Sequence, residues 1–421
     1  MADSADFVVV GGGIGGLVLA RRLVLGGASV ILLEASGSLG GTVARARIAG
    51  IEVDSGAESF ATRGGTVVAL AKSLGLGDDV VEPNPVGAWL QTARGAAFPL
   101  PENSLLGIPG SPLAKDVVAI IGGRAGTRAF FETLIPSFYG AKAQTLGELV
   151  RKRMGRPVLD QLVRPIARGV HSADADQLLL DQAVPGLRQA IVREGSLARA
   201  VLALRQNSAR AGSAVAGIRG GVFRLVEALQ SDLSRFGVDV RLDSRAMDLG
   251  PDGVSVRGAS ITGRVIAAAP GLLGATDDRG TRVTLATLVV DQPLLDAAPR
   301  GTGVLVAEGA PGIRARALTH STAKWAWLAE AAGGRHVLRL SYDDPGDDLA
   351  GVARQDAEAL LDVSIPAAAV EDFASVEWYR PNRYTPTPDD IPLVGESIAG
   401  TGLASVVARS EALAGTLLRD A

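Results

Sequence analysis

The chain has 421 residues, 47% of them hydrophobic and 21% charged, with a formal net charge of −3 and no cysteine. Such a composition describes a globular protein too long for one ordinary core, so two domains are expected, and the charge gives no basis for nucleic acid as a partner. Without cysteine there are no disulfides, thiolate metal sites, redox thiols or cysteinyl cofactor linkages, and three scattered histidines (His171, His320, His336) make a metal centre unexpected.

The opening residues, MADSAD, are short and acidic and lack a signal-peptide pattern. No uninterrupted apolar run reaches the roughly 18 residues of a membrane-spanning helix, so a cytoplasmic location is expected. Residues Phe7 to Val10 predict a strand that runs into Gly11-Gly12-Gly13-Ile14-Gly15-Gly16 and then a helix. A second strand, Ser29 to Leu33, ends at Glu34. Glycines 11, 13 and 16 fit G-x-G-x-x-G in its strand–turn–helix setting, the signature of a dinucleotide site. In that reading Gly11 makes the tight turn, Gly13 lets backbone approach a pyrophosphate, and Gly16 lets helix and strand pack closely. The phosphates would face the N–H groups of the helix beginning near Ile14, and Glu34 would accept from a ribose diol.

Val43 to Ile48 and Ile51 to Val53 predict two short strands around Gly50, and Thr66 to Leu74 a helix. Prolines at 83, 85, 99, 101, 109 and 112 mark strands broken by turns. From Pro112 to Arg205 the pattern is mostly helical, with apolar spacings of three and four in 146–154, 158–168 and 197–205. A helix is expected over 222–236 and a strand over 238–242, followed by strands at 254–256, 264–270, 283–290, 302–307, 313–318 and 336–341. The end reads as strand (392–395), glycine turn (400–402) and helix. The expected fold is therefore α/β: a discontinuous Rossmann-like domain (1–78, 206–275 and 378–421) with an inserted α+β substrate domain (79–205 and 276–377) that carries a helical insertion.

Gly40-Gly41, six residues beyond Glu34, offers a second backbone approach suited to the extended FAD molecule. The whole pattern resembles the G-x-G-x-x-G … E-x-x-x-x-x-G-G motif of the amine-oxidase-like flavoproteins, with Thr42 where many members have a basic residue. Within that superfamily, Asp54-Ser55-Gly56-Ala57-Glu58-Ser59-Phe60, Pro99-Leu100-Pro101, Gly169-Val170 with Ala173 to Leu178, and Lys324-Trp325 resemble segments of the protoporphyrinogen and coproporphyrinogen oxidases. His171 stands where that family commonly has tyrosine, and the segment after Tyr384 is shorter than the family's.

The resemblance implies an oxidase that aromatises a porphyrinogen in haem biosynthesis, with oxygen as acceptor and FAD held non-covalently. The expected substrate is coproporphyrinogen III; the alternatives are protoporphyrinogen IX, which spacing does not separate from it, or a diverged amine-oxidase-like or non-catalytic flavin-binding paralogue. The resemblance implies FAD contacts at Gly11, Gly13, Ile14, Gly15, Gly16, Glu34, Ala35, Gly40, Gly41 and Thr42. Further contacts fall at the turn Gly56, Ala57, Glu58 and Ser59, and at Val240, Trp378, Gly395, Thr401, Gly402 and Leu403. For Val240, spacing alone equally fits an ordinary buried strand residue. Arg63, Arg168 and Lys324 are the cations considered for substrate carboxylates, with Arg45 behind them. No catalytic acid–base group is assigned and no metal is expected. Hand-off of product to a chelatase, peripheral membrane contact and the oligomeric state stay open.

Overall fold

The structure, a computed structural model, describes residues 3–171, 173–209, 215–268, 280–380, 391–400 and 402–420. Its contacts divide the chain into two units, one of Met1–Glu82, Val215–Arg282 and Val376–Ala421, the other of Pro83–Ala214 and Val283–Ser375.

Among the described residues, the main sheet of the first unit has six strands, in the order Asp239–Arg241, Val30–Leu33, Ser4–Val10, Ala259–Ala267, Gly253–Val256, Ala246–Gly250. The first four run parallel and the last two fold back antiparallel. Parallel neighbours require crossovers, and the helix Ile14–Leu25 supplies the one between Ser4–Val10 and Val30–Leu33. The continuous apolar run Phe7 to Val10 follows from cover on both faces. Phe7 and Val9 join the core of Leu17, Leu229 and Leu417, which come from three helices. Val8 and Val10 join Val254, Ile261 and Leu393 on the other side. This is a Rossmann-like layer, and all four parallel strands point their carboxyl ends at one edge.

The second unit is α+β. A seven-stranded sheet takes the order Val370–Arg380, Thr281–Val290, His336–Tyr342, Ala317–His320, Gly303–Val306, Trp89–Gln91, Ala97–Pro99. With the helix Leu349–Leu361 it buries Leu288, Leu340, Tyr342 and Leu360. The helical segment buries Leu146, Val150, Leu162 and Val201 in a core of its own. Within it, the stretch expected to be one helix over 158–168 contains a π-helical turn, Leu159–Val163, between α-helical Arg156–Val158 and Arg164–His171.

Two expected strands differ. The 313–318 strand starts only at Ala317, because the backbone N–H groups of Arg314 and Ala315 donate to Asp356 Oδ2 at 3.2 and 2.8 Å. An aspartate on the helix Leu349–Leu361 thus takes donors that a ladder would have used. The 392–395 strand is reduced to a single parallel bridge, Ala267↔Leu393, before the short helix Glu396–Ala399. Ala267 N donates to Pro392 O and Val394 N to Ala267 O, so this segment still docks on the sheet, but Gly395 turns it away at once.

Candidate functional site

The expected dinucleotide site is assembled inside the first unit, at the carboxyl edge of the parallel strands. In open α/β sheets this edge is where loops form the ligand crevice. Val10 leads into Gly11, whose N–H donates to Leu33 O at 2.7 Å. Gly13 caps the helix Ile14–Leu25 in extended conformation, with no side-chain cap. The first N–H groups of that helix are therefore available to an anion, and Gly15 lies within the first turn.

Gly13 and Gly16 have opposite surroundings. A Cβ at Gly16 would stand 2.0 Å from Gly11 O, so its bare Cα serves packing of the helix on the strand. A Cβ at Gly13 would meet no atom within 4 Å. The protein itself does not need glycine there, whereas a ligand approaching the backbone would. Gly40 and Gly41 come to the same place: Gly40 N donates to Gly12 O at 2.8 Å, Gly13 and Gly40 form a parallel bridge, and a Cβ on Gly41 would lie 3.5 Å from Gly13 Cα. This convergence across 27 residues of chain is what a cofactor with a long phosphate-containing spine would use.

Glu34 ends the second strand, and its N–H is held by Arg241 O at 2.9 Å. Its Oε2 accepts from Gly12 N at 2.7 Å, and its Oε1 accepts from both Ser36 N and Ser36 Oγ at 2.8 Å. A carboxylate has about four acceptor positions, and the three donors here leave one on Oε2. Ser36 was not among the expected site residues; its signal in the sequence is a hydroxyl two residues beyond an acid. Ala35 lies between them in the same turn. Val240 pairs with Leu32 at the adjoining strand end and is half-buried.

Thr42 and the Gly56–Ser59 turn are joined through backbone. Ala57 N donates to Thr42 O at 2.9 Å, and a Cβ on Gly56 would stand 1.8 Å from that same oxygen. Trp378 Nε1 donates to Ser55 O at 3.2 Å, and Glu58 and Ser59 are half-buried beside it in sequence. The preceding Asp54 is structural: its carboxylate accepts from Val222 N and Phe223 N at 3.0 and 2.9 Å, just ahead of the helix Arg224–Arg235.

The C-terminal turn reaches the first helix, since a Cβ on Gly15 would lie 3.4 Å from Gly395 N and 3.1 Å from Val406 Cγ1. Gly402 has φ +106 and open space at its Cα, and Val406 N donates to Gly402 O. By helix geometry the N–H groups of Leu403 to Ser405 then have no intrahelical acceptor. Thr401 lies outside the described residues, as do Ala269 and Pro270 at the end of the expected 264–270 strand. A further cation stands nearby in sequence. Burial pushes the Arg380 guanidinium below its ordinary range, with the Glu396 carboxylate opposing that shift.

The three cations considered for substrate have separate settings. Arg63 is exposed, just after the short strand Phe60–Ala61 in the first unit. Arg168 belongs to the second unit and lines a cavity of about 370 Å3 with Arg94 and Arg164. Its guanidinium is shared between Glu308 Oε2 and Asp343 Oδ2, both at 3.0 Å. Arg164 is similarly bound to Asp160, Asp174 and Asp176. Lys324 lies over the Trp325 ring, 5.1 Å from its centroid, and its carbonyl accepts from Asn84 N. Arg45 pairs with Glu52 and Glu227 at the surface.

A profile of the flavin containing amine oxidoreductase family matches residues 14–271. Coproporphyrinogen III oxidase of Propionibacterium freudenreichii subsp. freudenreichii is 26% identical, over 86% of this chain and 78% of that protein. Coproporphyrinogen III oxidase of Mycobacterium leprae (strain TN) is 27% identical, over 89% of this chain and 83% of its own length. Among solved structures, "putative protoporphyrinogen oxidase" from Exiguobacterium sp. 255-15 superposes with a TM-score of 0.82 at 23% identity, covering 99% of both chains. That last likeness speaks for the fold alone.

Proposed function

Because the chain belongs to the flavin containing amine oxidoreductase family, we propose that it holds FAD non-covalently and oxidises coproporphyrinogen III to coproporphyrin III in haem biosynthesis, with oxygen as acceptor. The observation that carries the substrate is the name shared by relatives matched along 86% and 89% of the chain. The cradle of Gly13, Gly41 and Glu34 supports the cofactor, since it has open backbone for phosphates and one carboxylate position for a ribose.

Removing six hydrogens from the porphyrinogen would reduce three oxygen molecules to three of hydrogen peroxide. The bound flavin would supply two-electron acceptance. The chain's own part is positioning. The helix beginning at Ile14 faces its N–H groups to the phosphates, and Gly40, Gly41 and Thr42 hold the next stretch of cofactor. Val240 and Ala35 would flank the adenosine end, while Gly56 to Ser59, Trp378 and Gly395 would border the rest. The N–H groups after Gly402, at the positive end of the helix Leu403–Asp420, would favour negative charge on a flavin held there. Arg63 and Lys324 are the cations for substrate carboxylates. Arg168 is a third, and to meet a substrate carboxylate it would exchange one of the Glu308 and Asp343 carboxylates that hold it. A cytoplasmic location is part of the proposal. Among the described residues no helix is long and apolar enough to cross a membrane.

The test is aerobic incubation of FAD-loaded protein with coproporphyrinogen III and, separately, protoporphyrinogen IX, following porphyrin fluorescence and peroxide. Faster turnover of the first is expected. No rate above autoxidation with either substrate refutes the oxidase, and preference for the second refutes the substrate. Glu34→Ala should weaken FAD binding; unchanged affinity would remove the ribose role.

A further inference from the structure

The cavity of about 370 Å3 in the second unit holds a cation and an amide that the proposed oxidation does not use, Arg94 and Gln161. Three segments close it: the hairpin turn after Trp89–Gln91, the helical run Asp160 to Arg168, and the turn after Gly303–Val306.

The backbone that carries these groups is well tied. Thr92 N and Thr92 Oγ1 both donate to Ala96 O, at 2.9 and 2.8 Å, and Gly95 N donates to Thr92 O at 3.0 Å. Gly95 has φ +86, a left-handed conformation that glycine adopts without strain. Ala307 N donates to Gln91 O at 2.8 Å, which joins the hairpin to the turn after Gly303–Val306. Arg94 therefore extends from a fixed turn. Gln161 comes from the π-helical turn Leu159–Val163, and single π turns within helices recur at functional sites.

Hydrogen bonding separates what is committed from what is open. Arg164 is held by Asp160, Asp174 and Asp176, and Arg168 by Glu308 and Asp343. Among the described residues, the Arg94 guanidinium and the Gln161 amide have no hydrogen-bond or ion-pair partner. The lining carries three arginines against two acids, a net charge of +1. One uncompensated guanidinium, with its forked donors, matches one carboxylate. A phosphate dianion is disfavoured, because Asp160 and Glu308 border the same space and repel a second negative charge. The Gln161 amide both donates and accepts, as a hydroxyl does. Pro165 and Ala307 are buried and give apolar wall for the carbon chain between the two polar groups. The volume lies near the lower end of the roughly 300–1,000 Å3 of ligand pockets, so the occupant is small.

We propose that this cavity binds a small monocarboxylic acid carrying a second hydrogen-bonding group, its carboxylate on Arg94 and that second group on Gln161. The experiment is calorimetric titration of the flavin-loaded protein, without porphyrinogen, with lactate, 4-hydroxybutyrate, butyrate and inorganic phosphate. At least one of the two hydroxy acids should bind one to one with a Kd below about 1 mM. Butyrate, which lacks the second group, should bind roughly fivefold more weakly. Arg94→Ala should weaken the hydroxy acid at least about tenfold, and Arg94→Lys should recover only part of the loss, since an ammonium lacks the fork. Gln161→Leu should abolish the preference over butyrate. No binding of either hydroxy acid up to about 10 mM, or unchanged affinity in Arg94→Ala, would overturn the proposal. So would a preference over butyrate that survives in Gln161→Leu. Phosphate binding as tightly as the hydroxy acid would also overturn it, as an adventitious anion site only. Neither flavin reduction nor porphyrin formation enters this titration, so its failure and that of the proposed oxidation are read separately.

Discussion

Substituting alanine for two glycines of the first turn separates what the fold needs from what the cofactor needs. At Gly13 the backbone is extended (φ −69, ψ 172), open to any residue, and the new methyl meets nothing within 4 Å. Restricting the unfolded chain gains about 0.4–1 kcal/mol. Alanine is poorer than glycine as an N-cap by a similar amount, so the net effect on the flavin-free protein should fall within about 0.5 kcal/mol of zero. At Gly16 the methyl would stand 2.0 Å from Gly11 O, a backbone atom that cannot swing aside. Overpacking of that kind should destabilise by about 1–3 kcal/mol or more.

Flavin binding should order the variants differently, because on the proposed reading the Gly13 methyl would fill space that a phosphate needs. A tenfold weaker Kd corresponds to about 1.4 kcal/mol. At a concentration one hundred times the wild-type Kd, ligand stabilisation would fall from about 2.7 to about 1.4 kcal/mol in Gly13→Ala. Thermal melts with and without FAD, beside a fluorescence titration, read both quantities. Unchanged FAD affinity in a Gly13→Ala protein of normal stability would refute the assignment of this loop to the phosphates.

Other expectations concern the scaffold. His320 Nε2 lies 3.0 Å from His336 Nδ1, and burial together with that neighbour pushes the His320 pKa from 6.5 down to about 3. As pH falls below 6.5 the unfolded chain takes up the proton first, so stability present above that value is lost progressively toward pH 3. His320→Gln should flatten the dependence by up to about 1.4 kcal/mol per pH unit in denaturant unfolding, and parallel profiles for variant and wild type would contradict it. Arg153→Met leaves the buried Glu132 without its cation and should destabilise by about 3–5 kcal/mol; a melting temperature near wild type would contradict it. Asp54→Ala strands the Val222 and Phe223 N–H groups and should lose about 1–3 kcal/mol to a similar extent with and without FAD. A loss confined to the flavin-loaded protein would instead assign Asp54 to the cofactor.

The flavin-type βαβ opening is legible in the amino-acid order because its determinants are local. Phe7 to Val10 must be continuously apolar to lie between two covered faces, and Gly11, Gly16 and Glu34 occupy fixed offsets along one strand–helix–strand path. Helices of the second unit are visible for the same reason, since their apolar spacing repeats within a few turns. Contacts made across long stretches of chain are different, because no spacing encodes them. Asp54 finds its donors 168 residues away, and Asp356 draws the Arg314 and Ala315 N–H groups out of a segment that reads as strand. Arg153 looks like one more surface arginine in a basic helix until tertiary packing closes four carbonyls around it. Local backbone and side-chain preferences thus determine the cofactor motif and the layer type. Only the folded chain decides which charges are buried, because burial depends on partners that arrive from elsewhere in the sequence.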